Sequence, residues 1–312
     1  MEMNFASIAQ LWKADKRPYV KKSTYAIYCH LTNKYLIPRF GAETALKGDE
    51  VQEWVSQKLA DGLSIKTMKD IALILRMIQK FGAQMGAWPS GELRVRFPRQ
   101  TPPEGRAPSI FTREDERLLL EQLRGRPTPR NIGLWLCLTT GLRIGEICAL
   151  RWADVDLLAG TVRICHTLQR VFLSDGDVRE DILLLGTPKS AASAREIPLG
   201  GDLLRVMRKA GRTARSDDYL LTGRPTPLEP RNYRAYYKRL LRRIGLPPYR
   251  FHALRHSFAT RCIQSGCDCK TVSALLGHSS ISTTLNLYVH PSLDDKRRCI
   301  SLASKALARK NF

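Results

Sequence analysis

The chain has 312 residues, 43% hydrophobic and 26% charged, the balance of a folded globular protein rather than a disordered one. Its 51 Lys and Arg face 29 Asp and Glu, giving a net charge of +22 and a pI near 10.0. Such an excess points to a polyanion, because every phosphate neutralised by the protein releases condensed counterions. An anionic membrane is the competing partner, but no stretch approaches the roughly 20 apolar residues of a spanning helix. The opening Met1-Glu2-Met3-Asn4-Phe5 also lacks the charged-then-apolar form of a signal peptide.

The first hundred residues read as helices. Patterns lie near 22–36 and 49–60, and Ser64-Ile65-Lys66-Thr67 opens a helix with Met68, Ile71, Leu75, Ile78 and Phe81 on one face. Proline and glycine then crowd the segment from Phe97 to Pro108, a basic seam that cannot continue a helix. The expected division is a small, basic helical bundle over 1–98, a linker over 99–108 and a second domain over 109–312. After the seam, Thr112-Arg113-Glu114-Asp115 has the form of a capping box with Asp in place of Glu.

Gly160 marks a turn, and Thr161-Val162-Arg163-Ile164-Cys165 begins a strand by alternation and β-branching. Arg195-Glu196-Ile197-Pro198-Leu199 reads as a second strand, at an edge because Pro198 lacks a donor. Helical patterns run from about 202 almost to the end. The predicted fold class is therefore mainly α, a helical N-terminal bundle plus an α+β domain with a small antiparallel sheet. The eight cysteines (Cys29, Cys137, Cys148, Cys165, Cys262, Cys267, Cys269 and Cys299) lie mostly in apolar segments and read as free thiols. Cys267-Asp268-Cys269 has neither the spacing nor the second cysteine pair of a metal site, so no metal is expected.

Four segments carry chemistry. In Thr139-Thr140-Gly141-Leu142-Arg143-Ile144-Gly145-Glu146, the glycines permit a sharp entry into a short helix, and Arg143 and Glu146 fall on one face. A carboxylate beside an arginine can aim its fork at a phosphate, although alone the pair reads equally as a structural ion pair. In Phe251-His252-Ala253-Leu254-Arg255-His256-Ser257-Phe258, His252 and Arg255 share a face near a helix start, where anions bind, while Leu254 and Phe258 turn inward. His256 is expected to point elsewhere, as a surface or packing residue. In Leu275-Leu276-Gly277-His278-Ser279-Ser280, Gly277 stops one helix and the serines cap the next, which ends at Tyr288. A lone tyrosine there is ordinarily a packing residue. Finally, Thr187-Pro188-Lys189-Ser190 sets a lysine at a turn before the Arg195 strand, a position that is ordinarily solvated surface.

Taken together, the order Arg, Lys, His-x-x-Arg, His, Tyr with these flanks closely resembles the catalytic domain of the tyrosine recombinases, the family of phage and conjugative-element integrases and chromosome-dimer resolvases. The resemblance spans roughly residues 107–312, and the helical N-terminal part is similar to the family's core-site-binding domain in layout and size. It implies a site-specific recombinase working through a 3′-phosphotyrosyl intermediate and a Holliday junction. In it, Arg143 and Arg255 clamp the scissile phosphate, Tyr288 attacks, Lys189 protonates the leaving 5′-oxygen, His252 and His278 complete the set and Glu146 supports it. No cofactor is implied, since the covalent link conserves the energy of the broken strand. The implied partners are double-stranded DNA with inverted-repeat core sites, a homotetramer of the chain on paired sites (a monomer or dimer when free) and room for an accessory DNA-bending protein. The implied location is a bacterial-type cytoplasm, on the nucleoid when DNA is bound.

The core-binding pattern begins near residue 5, so the simple two-domain form is expected, without the extra arm-binding domain common in such integrases. The stretch 171–188 looks longer and more acidic than a minimal hairpin before Lys189. Arg231, Arg234, Lys238, Arg239, Arg242 and Arg243, interleaved with Tyr233, Tyr236 and Tyr237, suit a helix facing phosphates with some aromatics inward. Ser292-Leu293-Asp294-Asp295 is expected to cap a last helix carrying Ile300, Ala303 and Leu307, which in relatives docks on a neighbouring subunit and here has packing on its own domain as the alternative. Two rival functions share these features. A type IB topoisomerase uses the same cleavage chemistry, and a DNA-binding regulator would carry a degenerate site, although no expected catalytic position is replaced.

Overall fold

The structure, a computed structural model, describes residues 3–99, 110–175, 178–187, 193–278 and 280–288, with a few single positions beyond; for Val178, Thr283 and 286–288 it describes the backbone only. Most of the proline-rich seam, Lys189 and most of the expected last helix lie outside the described residues. The chain forms two compact units, one of residues 1–105 with 170–183 and the other of 106–169 with 184–312.

The first unit is built from α1 (Phe5–Lys16), α2 (Lys22–Leu31), a π-helical turn (Thr32–Leu36), α3 (Ile37–Phe40), α4 (Gly48–Ala60) and α5 (Ile65–Gln84). Helix α5 starts where its sequence dictates: the Ser64 hydroxyl accepts from the Thr67 amide at 3.1 Å. Met68, Ile71, Leu75 and Ile78 are fully buried, and Phe81 packs at the margin of the same core. Helix α1 is capped by Asn4 and buries Phe5, Ile8 and Trp12 in the same core, with Phe5 against Phe40 and Trp88.

The long acidic stretch is a β-hairpin, β3 (Thr167–Asp175) with β4 (Val178–Gly186), and its residues 170–183 belong to the first unit. Its acidity has a partner there. Asp175 is ion-paired with Lys13 and accepts from the Tyr25 hydroxyl at 2.6 Å, while Asn33 donates to the Ser174 carbonyl. Lys13 is only 5% exposed, so removing the opposing charge is costly. Asp175→Asn is expected to destabilise the protein by about 1–3 kcal/mol, the scale of a buried charge left with a neutral partner. Urea denaturation reads this directly, and an unchanged midpoint would mean that Lys13 finds water instead.

In the second unit, α6 (Arg113–Gly125) opens on Thr112, whose hydroxyl accepts from the Asp115 amide. Helix α7 (Pro129–Thr140) is buried along nearly its whole length and packs against α6, α9 (Gly201–Gly211) and α11 (His252–Gln264). An apolar surface on all sides fits a helix at the centre of its domain. The three-stranded antiparallel sheet runs β1 (Val155–Asp156), β2 (Thr161–Ile164), β5 (Arg195–Pro198), with Thr161 opposite Pro198, so Pro198 is on an edge strand as its chemistry requires. The remaining elements are α8 (Ile144–Ala149), α10 (Pro230–Arg243), α12 (Cys269–Leu276) and α13 (Ile281–Tyr288). Asp268 caps α12 by accepting from the Thr271 amide at 2.9 Å, which gives the middle residue of Cys267-Asp268-Cys269 a structural task. Among the described residues the cysteines are free, and no group of three or more His, Cys, Asp or Glu side chains is placed to hold a metal ion. No helix among them is long and apolar enough to cross a membrane.

Candidate active site

Two glycines shape the site. Gly141 ends α7 at φ +70°, and a Cβ there would stand 2.7 Å from both Leu276 and Phe258 side-chain carbons. The chain can therefore turn left-handed there while α7, α11 and α12 stay close. Gly277 ends α12 in the same left-handed way at φ +65°. Each turn is followed within two residues by a candidate site residue, Arg143 after the first and His278 after the second.

Arg143 is the N-cap residue of α8 and lies where sequence spacing put it, against Glu146. Its Nη1 donates to Glu146 Oε1 at 2.8 Å, and its backbone N–H donates to Oε2 at 2.9 Å. The carboxylate is buried, 3% exposed, whereas the Arg143 side chain is 37% exposed and thus open at one end. Arg255 is the reverse case, 1% exposed on α11, with Nη1 donating to the Gly141 carbonyl at 2.9 Å and Nη2 to the Leu276 carbonyl at 2.7 Å.

The end of α12 binds the arginines together. Its last carbonyls are partly negative because no further turn follows. Leu275 accepts from Arg195 Nε at 2.6 Å, Leu276 from Arg255, and Gly277 from Arg143 Nη2 at 3.3 Å. Arg195 was legible in sequence only as a strand residue, yet its side chain is 6% exposed and its Nη2 donates to Glu146 Oε2 at 2.9 Å. Glu146 thus lies between two guanidiniums. Burial works against its ionised form, but Arg195 first and then Arg143 outweigh that and hold its carboxyl below the usual range.

His252 and His278 lie within the electrostatic reach of both Arg143 and Arg255. His278 shares a hydrogen bond of 2.8 Å between Nδ1 and the Thr284 hydroxyl, which ties it to α13. His256 does not point away. One helical turn after His252, its ring stands edge-on to that ring at 4.6 Å between centroids. The His252 pKa is pushed down to about 4 by desolvation and then by His256, Arg255 and Arg143. That of His278 is pushed down to about 4 as well, by desolvation and then by Arg255, Arg143, His252 and Arg195.

Since both folded pKa values lie below the ordinary 6.5, the unfolded chain binds more protons between those values. The two histidines therefore contribute stability that is complete above about pH 6.5 and lost as the pH falls toward about 4. In the DNA-free protein both rings are expected to remain neutral at pH 5.5 by NMR. A ring titrating near 6.5 would mean that burial and the two guanidiniums do not act on it together.

Helix α13 ends at Tyr288, as its sequence led us to expect, and Ser280 accepts from the Ser282 amide at its start. The Tyr288 side chain and Lys189 lie outside the described residues. On α10, Arg231, Arg234, Lys238, Arg239, Arg242 and Arg243 are all exposed, while Tyr233 and Tyr237 are buried and the Tyr236 hydroxyl donates to Asn131 at 2.6 Å. The helix thus carries its charge on one face and its aromatics inward.

Residues 110–294 match the model of the phage integrase family. A XerC-like tyrosine recombinase of Caldanaerobacter subterraneus subsp. tengcongensis is 30% identical over 268 residues, covering 78% of this chain and 67% of the relative. The transposase of transposon Tn916 from Enterococcus faecalis is 24% identical over 89% of this chain and 72% of its own length. Among solved structures, the Tn1549 transposon integrase in complex with transposon right-end DNA superposes with a TM-score of 0.76 at 22% identity, over 97% of this chain and 100% of that one. A lambda integrase tetramer bound to a Holliday junction superposes with a TM-score of 0.63 at 18% identity, over 94% of this chain and 80% of that one. At these identities the two structures speak for the fold. The family match and the XerC-like relative speak for descent, and on them the chain belongs to the phage integrase family of tyrosine recombinases.

Proposed function

We propose that this chain cuts and rejoins DNA at specific paired sites. Arg143 and Arg255 bind the scissile phosphate and Tyr288 is the nucleophile. The observation that carries this reading is the cluster of Arg143, Arg255, His252 and His278 in a family of strand-transfer enzymes, with His278 just before the helix that ends at Tyr288.

A phosphodiester repels nucleophiles by its own charge, and attack adds charge to its non-bridging oxygens. Guanidiniums already fixed by Glu146 and by backbone carbonyls stabilise that charge without reorganising during the reaction. The Tyr288 hydroxyl loses its proton and its oxygen bonds to phosphorus, and the bond to the 5′-oxygen breaks. That oxygen leaves as a 5′-hydroxyl once protonated, the task of Lys189 in this reading. The neutral His252 and His278 rings serve as proton acceptor and hydrogen-bond donor beside the phosphate. The reverse reaction, with the 5′-hydroxyl of a partner strand attacking the phosphotyrosine, rejoins DNA in a new connection. Glu146 is the support that aims Arg143.

In this reading, the exposed arginines and lysines of α10, among them Arg231, Arg234, Lys238, Arg239 and Arg242, track phosphates on either side of the cut, and the first unit grips the same duplex. The partner is double-stranded DNA with inverted-repeat core sites, on which four copies of the chain exchange strands through a Holliday junction. An accessory bending protein is compatible with this arrangement, and the setting is a bacterial cytoplasm.

A supercoiled plasmid carrying two copies of the inverted repeats found beside the encoding gene tests the proposal. Deletion or inversion products that require both copies are expected. Relaxation of a plasmid lacking the repeats, without recombinant products, would instead make the chain a topoisomerase.

A further inference from the structure

Glu146 has two oxygens, and each serves both arginines. Oε1 accepts from Arg143 Nη1 at 2.8 Å and from Arg195 Nη1 at 3.2 Å; Oε2 accepts from the Arg143 amide and from Arg195 Nη2, both at 2.9 Å. The three side chains together carry one net positive charge. Arg195 and Glu146 are enclosed, 6% and 3% exposed, while Arg143 opens to solvent at 37%. The surplus charge is therefore presented at Arg143. Arg195 also donates to the Leu275 carbonyl and to the Ser193 carbonyl, so one planar fork ties β5, α8 and the end of α12.

We propose that Arg195 is a positioning residue for strand cleavage, which keeps Arg143 charged and aimed by sharing the carboxylate of Glu146. This rests on the phosphate-binding role proposed above for Arg143. Without Arg195, Glu146 would have only Arg143 as a cationic partner. The pair would close on itself with no net charge, and the phosphate would meet a guanidinium already neutralised. A lysine cannot substitute fully, because an ammonium does not span both carboxylate oxygens and a backbone carbonyl in one plane.

The test is single-turnover cleavage of a nicked suicide duplex at saturating protein, with DNA affinity and melting temperature measured alongside. Arg195→Gln is expected to lower the cleavage rate about tenfold or more while affinity stays within about threefold. Adding Glu146→Gln removes the unshared negative charge, returns the surplus to Arg143, and is expected to recover at least about half of the loss on a logarithmic scale. A purely structural role for Arg195 predicts instead that the rate follows the melting temperature, so that a single variant assayed well below its melting point cuts like the wild type. A wild-type rate in Arg195→Gln, or a double variant slower than the single one, overturns the proposal. Should Arg195→Gln melt below the assay temperature, Arg195→Lys takes its place. It is expected to cut about threefold more slowly or worse at unchanged affinity, and an unchanged rate again overturns the proposal. The two readings fail separately. If the wild-type protein forms no covalent adduct, the strand-transfer reading falls whatever Arg195 does; if it forms one and Arg195→Gln matches it, only the positioning role falls.

Discussion

Tyr288→Phe is expected to bind its DNA site as the wild type does and to form no covalent protein–DNA adduct and no recombinant product. The change removes one hydroxyl at the end of α13, leaving the helix and the basic face of α10 untouched. A phenol with an ordinary pKa near 10 attacks at neutral pH only where cations stabilise its oxyanion, and α13 is joined to such a place through the bond between His278 and Thr284. Other tyrosines are poorly suited. Burial pushes the hydroxyls of Tyr233 and Tyr237 far above their usual pKa, and the Tyr236 hydroxyl is engaged with Asn131. The measurement is a denaturing gel of a nicked suicide substrate, with band-shift binding as the control. An adduct of normal yield in the variant would move the nucleophile to another residue.

Replacing either clamp arginine by lysine is expected to slow cleavage by about a hundredfold or more, because a point charge cannot reproduce two parallel donors. The variants should differ in stability. Arg143→Lys keeps a cation beside Glu146 at a position open to solvent. Arg255→Lys leaves the buried carbonyls of Gly141 and Leu276 competing for one ammonium, at a cost of about 1–3 kcal/mol for an orphaned buried acceptor. Arg255→Lys should therefore melt below Arg143→Lys although both cut poorly. Near-wild-type cleavage in both variants would remove the arginines from the reaction.

The local part of this architecture was legible because local chemistry decides it. The Ser64 and Thr112 caps, the sharp turn at Gly141, the helix stop at Gly277, the edge position of Pro198 and the Arg143–Glu146 pairing all follow from residues at most a few positions apart. His256 was equally local and was nevertheless misjudged. It lies four residues after His252, one full turn, so the two rings meet. What sequence did not disclose depends on long-range contact. Arg195 reaches Glu146 across 49 positions and Leu275 across 80, and Asp175 finds Lys13 across 162, so no periodicity or spacing could announce them. The acidic hairpin looked like an uncertainty about Lys189. In the fold, its residues 170–183 are part of the N-terminal unit, with Asp175 paired to the buried Lys13.

The central claim is that protein cations and one tyrosine perform the strand cleavage. It is tested most directly by trapping the wild-type protein on a nicked suicide duplex in excess chelator and mapping the DNA-linked peptide by mass spectrometry. With the positive charge at the phosphate coming from Arg143 and Arg255, as proposed, the adduct is expected at full yield, with the 3′-phosphate on the peptide containing Tyr288. Cleavage that vanishes with the chelator and leaves no protein on the DNA would contradict the account, and would mean a hydrolytic nuclease working through a divalent ion.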